Sequence, residues 1–537
     1  MDIQSFATTQ LSLLDDELKA EVAENAILIS QASPTALQRA GAAILNLTVS
    51  SQRTGLGGKT VLELELDSAI GGGGELPEHG VRTGDIVSVQ EQPAGSAKKK
   101  EKGELKNKGV EGVVVKVTAS NVSVALNKEE DDIPTSRLWV IKLANDVTYK
   151  RMNWTMTKIQ KASESEYTPF MRVLFGQSSP TPVPRQLDDP TDPIEFIDPS
   201  LNASQKEAIR FAIASREVAL IHGPPGTGKT HTLIELILQL VKQNLRLLVC
   251  GPSNISVDNI VERLAPHKIP LIRLGHPARL LPSVLDHSLD VLTRTSDAAE
   301  IVRDVRKEMD AKQASISKTR NGRERRTIYG DLRELRKEYR QREEKCVGNL
   351  VGGSRVVLAT LHGAGGFQLR RELFDVVIID EASQALEAQC WVPLLTAKKA
   401  VLAGDHLQLP PTIKSLNSKS AGDKTKSKPE LPIKDMTLET TLFDRLLSLH
   451  GPSIKKMLTT QYRMHEKIMR FPSAELYDGK LLAADAIKAL AMTRPKRHLC
   501  VVGDAETVSR GSPFLKRWMA FLEENADLRY PDVADLS

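Results

Sequence analysis

Apolar residues recur along this 537-residue chain with two different periods, and the changes between them divide it. Near the start, Leu11, Leu14, Leu18 and Val22 fall at three- and four-residue spacing. That is the stripe of an amphipathic helix over residues 1 to about 29, read as an ordinary packing helix in an N-terminal stalk, 1–39. The period then drops to two. Leu62, Leu64 and Leu66 alternate with Glu63, Glu65 and Asp67. Val113, Val115 and Val117 alternate in the same way, as do Val122, Val124 and Leu126. Turn clusters such as Gly71-Gly72-Gly73-Gly74 separate these runs, so residues 40–160 read as a small β-barrel. From Asp198 onward short apolar strands alternate with helical stretches: Val218–Ile221, Leu245–Val249, Leu271–Leu274, Val356–Ala359, Val376–Ile379 and Ala400–Ala403. That alternation predicts an α/β fold, a parallel sheet with helices on both faces.

Two segments interrupt the sheet pattern. Residues 295–346 form a charged helical insert, with 15 Lys/Arg against 9 Asp/Glu between Ile301 and Cys346. The whole chain carries a net charge of only +5, so this insert accounts for its basicity. Asn321-Gly322 suits the turn of a helical hairpin. A solvated helix pair and a phosphate-neutralising face are both open readings. Residues 415–435 have the composition of a disordered loop. The segment Ser96-Ala97-Lys98-Lys99-Lys100-Glu101-Lys102 reads equally as a phosphate-contacting loop or a solvated turn.

Composition narrows the class. No run of 18 apolar residues occurs, so no membrane span is expected. Met1-Asp2-Ile3-Gln4 does not begin a signal peptide. The four cysteines (Cys250, Cys346, Cys390 and Cys500) are widely spaced, which implies a reducing compartment and no zinc site.

The chemistry centres on Gly223-Pro224-Pro225-Gly226-Thr227-Gly228-Lys229-Thr230. It lies between the strand Val218–Ile221 and the helical pattern Leu233, Ile234, Leu236, Ile237, Leu240, the context a phosphate-binding loop requires. The glycines let backbone N–H groups face phosphate oxygens at a helix N-terminus. Lys229 is expected on the β- and γ-phosphates, and Thr230 on Mg²⁺. A second strand, Phe374–Ile379, ends in Asp380 and Glu381. Asp380 is assigned to the metal and Glu381 to general-base work on the attacking water. After a third strand, Gln408 in Gly404–Pro411 reads either as a γ-phosphate sensor or as part of a polar loop.

Together these motifs resemble superfamily 1B helicases of the nonsense-mediated-decay type. Within them the likeness is to the immunoglobulin mu-binding protein 2 and DNA polymerase alpha-associated DNA helicase A family. The resemblance rests on Leu201–Gln205, Gly223–Thr230, Gly251–Asn254, Ala359-Thr360, Asp380–Gln384, Gly404–Pro411, Gln461–His465 and Thr493–Arg497, in family order over about residues 195 to 515. It implies a RecA-like motor using ATP and Mg²⁺ to unwind DNA or RNA 5′ to 3′. Gln205 would then read the adenine edge, and Tyr462 would stack on the adenine. Gln408, Arg463 and Arg494 would touch the γ-phosphate. Pro252, Ser253, Asn254 and Thr360 would face a single nucleic-acid strand. The first RecA-like lobe would comprise 161–294 and 347–440, with the barrel and the helical insert flanking the strand channel. A monomer in nucleus or cytoplasm is expected, with replication- or ribosome-associated proteins as family-type partners.

The second lobe, 441–537, departs from the family. Arg463 and Arg494 are only 31 positions apart in the chain. A whole α/β lobe needs far more, something on the order of a hundred residues. An internal deletion near 485–491 is inferred, with a family-like ending after it, Leu499–Asp504 as a strand and Phe514–Glu524 as a helix. Nucleotide binding is expected to survive, with hydrolysis and unwinding weak or absent. A catalytically impaired nucleic-acid-binding protein is the alternative.

Overall fold

The computed structural model describes residues 2–31, 33–54, 60–67, 69, 75–82, 85–92, 109–126, 137–143, 146–184, 194–275, 280–295, 300–318, 321–413, 415, 437–484 and 513–525. Arg494, the lysine-rich loop at 96–102, the inferred seam at 485–491 and nearly all of 415–435 lie outside them.

The period-two region closes into a six-stranded antiparallel barrel. Its strands are β1 (Ala43–Thr54), β2 (Thr60–Leu66), β3 (Ile86–Glu91), β4 (Val110–Val117), β5 (Asn121–Leu126) and β6 (Leu138–Lys142), ordered β1-β2-β5-β4-β3-β6. Leu62, Leu64, Val122, Val124 and Leu126 fill the interior, as their alternation requires. β4 differs from its pattern: Val110 and Val114 point inward rather than Val113. A register shift between Val114 and Lys116 then brings Val117 against the same core. One extra residue reverses the facing of everything after it, which alternation alone cannot show.

Gly112 of β4 lies hard against β5. A β-carbon there would sit 2.5 Å from Val124 Cγ1 and 2.7 Å from the Ala125 carbonyl oxygen. Gly112→Val should therefore destabilise the barrel by about 1–3 kcal/mol. A lowered thermal transition with unchanged nucleotide binding is the expected result. An unshifted transition would show that the strands can separate freely.

The barrel stands on two helices. Ile3–Gln31 packs against Asp146–Lys161, which follows β6. The latter helix, grouped with the barrel on sequence, is thus part of the stalk. The buried stripe of the first helix is Ile3, Phe6, Ala7 and Leu14, while Val22 is exposed, so the stripe is offset from the leucine spacing. These residues share one core with Trp391, Phe443 and one face of the main sheet.

That sheet has seven parallel strands. They are β7 (Val218–His222), β8 (Leu247–Gly251), β9 (Leu271–Leu274), β10 (Val356–Thr360), β11 (Phe374–Ile379), β12 (Ala397–Gly404) and β13 (Lys455–Met457). Their order is β13-β7-β12-β11-β8-β10-β9. Alternate residues serve the two faces: Leu220, Leu248, Val377 and Leu402 enter one core, and Ile221, Val249, Ile378 and Val401 the other. Burial on both sides explains the unbroken apolar runs. β13 and the helix Leu442–His450, allotted to the second lobe on sequence, complete the first sheet and its core instead.

The charged insert is a helical hairpin, Glu300–Lys318 and Gly322–Gly353. Asn321 caps the second helix, its side chain accepting from Arg323 N. Val302, Val305 and Met309 pack on Leu332, Tyr339 and Cys346. The second helix runs past residue 346 to seat Val347 and Val351 in the motor core. Among the described residues no helix is long and apolar enough to cross a membrane. The described second lobe is small. It pairs β14 (Thr460–Gln461) with β15 (Leu482–Ala483) and packs the helix Glu466–Leu476 on Pro513–Asn525 through Phe471, Phe514 and Phe521.

Candidate nucleotide and nucleic-acid site

The phosphate loop crosses from β7 to the helix Lys229–Lys242 at the carboxyl edge of the sheet. Gly226 has a φ of 75° and Gly228 a φ of 78°. Both lie in the left-handed region that glycine enters without steric cost. Gly228 is the N-cap, so the loop feeds directly into the positive end of the helix dipole. The loop is braced by Gly223 N donating to the Gly404 carbonyl and Thr227 Oγ1 to that of Pro224, at 3.0 and 2.7 Å.

Lys229 turns back over the loop to the two acids at the end of β11. Its Nζ lies 2.5 Å from Glu381 Oε1 and 3.7 Å from Asp380 Oδ1. Burial pushes the Asp380 carboxyl up to about 6, against the pull of Lys229, with the Glu381 charge adding to the rise. Removing a carboxylate from water disfavours its charged form, and here that outweighs the neighbouring ammonium. Glu381 has a φ of 53° and turns the chain sharply after β11. That conformation is unusual for a non-glycine residue. Thr230 opens the helix beside this group, half-buried. A half-buried hydroxyl and a buried carboxylate at the ends of neighbouring elements suit a hard cation, so the residues present fit Mg²⁺.

The segment Gln461–His465 is docked on the loop. Tyr462 N donates to the Gly226 carbonyl at 2.8 Å, and a β-carbon on Gly226 would collide with Arg463 Cβ at 2.5 Å. Buried Gln461 holds this turn by accepting from Arg463 N and Met464 N and donating to the Met464 carbonyl. The Tyr462 ring is exposed, and its hydroxyl accepts from Asn202 Nδ2 at 2.9 Å. Asn202 also caps the helix Ala203–Ala214 in a reciprocal pair with Gln205, which satisfies two N-terminal donors at once. Gln205 Nε2 reaches the Thr227 carbonyl at 3.2 Å. The structure therefore brings Gln205, Tyr462 and Arg463 to the same loop.

Asp405, at the end of β12, is a hub that sequence reasoning assigned no role. It accepts from His222 Nε2 at 2.9 Å, from Gln408 Nε2 at 2.7 Å and from Tyr477 Oη at 2.7 Å. Burial works to raise its pKa, but these donors overcome it and hold the carboxyl down at about 2. Hydrogen bonds to the charged form are what favour it. Gln408 is thereby tied both to the phosphate-loop strand and to the second lobe. His222 follows an apolar run, and a buried polar residue there was the available signal.

The four residues expected on nucleic acid lie at the neighbouring strand ends. Pro252, Ser253 and Asn254 follow β8, and Thr360 ends β10, paired with Gly251. Ser253 caps the helix Asn254–Leu264, accepting from Ser256 N. Asn254 Oδ1 accepts from Arg273 Nη2 at 3.0 Å, and Arg273 is fully buried against Asp258 at 2.7 Å. Arg273 and Asp258, which the sequence reading missed, hold the Asn254 side chain in place. A cation inside the apolar strand Leu271–Leu274 was the signal.

Comparison with known proteins agrees with this geometry. The profile of the helicase SMUBP-2/HCS1 1B domain matches residues 7–144, and two AAA-domain profiles match 200–416 and 438–491. The chain is 47% identical over 489 residues to a Schizosaccharomyces pombe protein named DNA polymerase alpha-associated DNA helicase A, covering 90% of this chain and 70% of that protein. Against the Saccharomyces cerevisiae protein of the same name it is 38% identical over 513 residues, covering 89% and 71%. The rat DNA-binding protein SMUBP-2 is 41% identical over 493 residues, covering 90% of this chain but 47% of its own length. The barrel on its helical stalk, the phosphate loop and the docked Gln461–His465 turn are the parts these matches span, and the chain belongs to the SMUBP-2/HCS1 helicase family.

Proposed function

We propose that this chain is a nucleic-acid-stimulated ATPase of the 5′-to-3′ helicase type, with slow turnover and weak unwinding. The observation that carries the reading is the Lys229 ammonium held between Asp380 and Glu381, at a loop on which Tyr462 and Arg463 already sit. ATP supplies the anionic partner that competes for Lys229. Its γ-phosphate draws Nζ off Glu381, and the released carboxylate takes the proton of the attacking water. Coupling the two events keeps the base neutralised until substrate arrives. Tyr462 stacks on the adenine, Gln205 reads its edge, and Arg463 with Gln408 meets the γ-phosphate. Thr230 and Asp380 would hold Mg²⁺, which when bound neutralises charge on the β- and γ-phosphate oxygens.

Single-stranded DNA or RNA crosses the strand ends at Pro252, Ser253, Asn254 and Thr360, held through its backbone without sequence choice. Closure of two lobes around ATP normally drives translocation. Only 31 positions separate Arg463 from Arg494, and this favours a second reading: a protein that binds Mg-ATP and nucleic acid without productive unwinding. We place the chain as a monomer in nucleus or cytoplasm. The deciding measurement is ATP turnover with and without single-stranded DNA, beside strand displacement from 5′- and 3′-tailed duplexes. DNA-stimulated turnover with displacement confined to 5′ tails is the expected result. ATP binding without turnover would leave only the second reading, and displacement from 3′ tails would overturn the polarity.

A further inference from the structure

Aromatic residues are scarce in this chain, at 4%, and most large ones among the described residues are buried. Two large aromatics outside the nucleotide site are not: Trp154 is 65% exposed and Phe367 is 55% exposed. They belong to different elements that are pinned together. Trp154 lies on the stalk helix Asp146–Lys161, whose opposite side buries Met152, Met156 and Ile159 in the motor core. Arg151, Trp154 and Lys158 fall at i, i+3 and i+7, one stripe of that helix. Arg151 Nη1 donates to the His362 carbonyl at 2.7 Å, and its Cδ would lie 3.2 Å from a β-carbon on Gly365. This fixes the stripe to the turn that leads from Thr360, two residues before His362, to Phe367.

The exposed charges beside both rings in the chain are cationic, and the acid that follows them, Glu372, is paired with Arg246 at 2.6 Å. Lys158 Nζ lies 5.6 Å from the Trp154 ring centroid. Exposed Lys161 continues the helix, and exposed Arg370 and Arg371 follow Phe367. Exposed rings flanked by cations, one short turn beyond Thr360, are the combination that holds single-stranded nucleic acid, with bases on the rings and phosphates on the charges.

We propose that Trp154 and Phe367 form a base-stacking platform that extends the single-strand path from Thr360 onto the stalk helix. The assignment rests on the reading that this chain binds single-stranded nucleic acid. It assigns nucleobases, without sequence choice, to the rings, and the backbone phosphates to Lys158, Arg370 and Arg371. Because the platform lies on the helix that carries the barrel, strand binding there bears directly on how the barrel is held.

The test is the affinity of the full chain for labelled oligo(dT), measured by fluorescence anisotropy at low salt. Trp154→Ala and Phe367→Ala should each weaken binding by about tenfold, within the range that stacking one base provides. Trp154→Phe should recover most of the loss. An abasic oligomer of equal length, which has phosphates but no bases, should bind wild type and both alanine variants alike. ATP turnover without nucleic acid should be unchanged in all of them. If wild type binds oligo(dT) and both alanine variants match it, the platform is refuted while the nucleic-acid reading stands. That result is also the one expected of a protein-docking surface. If the alanine variants lose oligo(dT) and the abasic oligomer equally, the rings do not stack on bases and the proposal fails. If wild type does not bind oligo(dT) at all, both readings fall.

Discussion

Lys229→Ala is expected to abolish ATP turnover, by at least about 10²–10³-fold, the loss typical of removing one preorganised electrostatic partner of a transition state. The mutation acts on two things. It removes the cation that meets the γ-phosphate, and it leaves Asp380 and Glu381 adjacent without the charge that offsets them. Glu381→Gln separates the roles. The amide keeps the size of the side chain but cannot take a proton, so Mg-ATP should still bind while turnover falls by about 10²–10⁴-fold. Phosphate release and binding of a fluorescent ATP analogue, measured on both variants, check the pair of outcomes. Turnover surviving in Glu381→Gln would remove it from the role of base. Turnover surviving in Lys229→Ala would remove the loop from the chemistry altogether.

The largest expected effect on stability comes from a site remote from ATP. Arg445, on the helix Leu442–His450, and Glu387, on Glu387–Leu394, are both buried and lie 2.6 Å apart. Trp391 Nε1 also donates to Glu387, and Arg445 Nη1 donates to the Leu174 carbonyl at 2.8 Å. The guanidinium carbon sits over Phe6 and Phe175 at 5.3 and 5.6 Å from their centroids. One ion pair thus ties together four helices, Ile3–Gln31, Pro169–Leu174, Glu387–Leu394 and Leu442–His450. Removing one partner strands a buried charge, so Arg445→Met should cost about 3–5 kcal/mol. The double variant Arg445→Met with Glu387→Leu should recover much of that loss, because apolar residues of similar volume can replace a buried pair. Urea unfolding followed by fluorescence reads both. A double variant no more stable than the single one would show that the pair's hydrogen bonds, rather than the stranded charge, dominate.

How much of this was legible depends on whether the signal was contiguous. The strands β7, β8 and β10, and the carboxyl halves of β11 and β12, are buried on both faces, so each offers an apolar run that can be read directly. β13 is Lys455-Lys456-Met457 at the sheet edge, half-buried, and carries no such run. Its membership of the first sheet is decided by pairing with β7, which spacing cannot reveal. The phosphate loop and the Asp380-Glu381 pair were legible because each is a short motif with fixed local chemistry. The Asp405 hub was not, since His222 lies 183 positions away and Tyr477 lies 72 away. The N-terminal helix could be recognised as a helix. That its apolar stripe enters the motor core depends on partners no local period encodes.

That first helix has a bearing on synthesis. Ile3 and Phe6 have no solvent exposure, and Ser415 N donates to Glu17 Oε2, a partner 398 positions away. The helix is made before all of its partners: Asp146–Lys161 and Phe175 follow it, and Trp391 and Arg445, which also meet Phe6, come much later. The barrel, whose interior is drawn from residues 44 to 140, can meanwhile complete its own core. The nascent chain must therefore carry a partly covered helix beside a finished module until residues 387–450 arrive, and over that interval the side of Phe6 that meets Trp391 and Arg445 is open to a chaperone or to another chain.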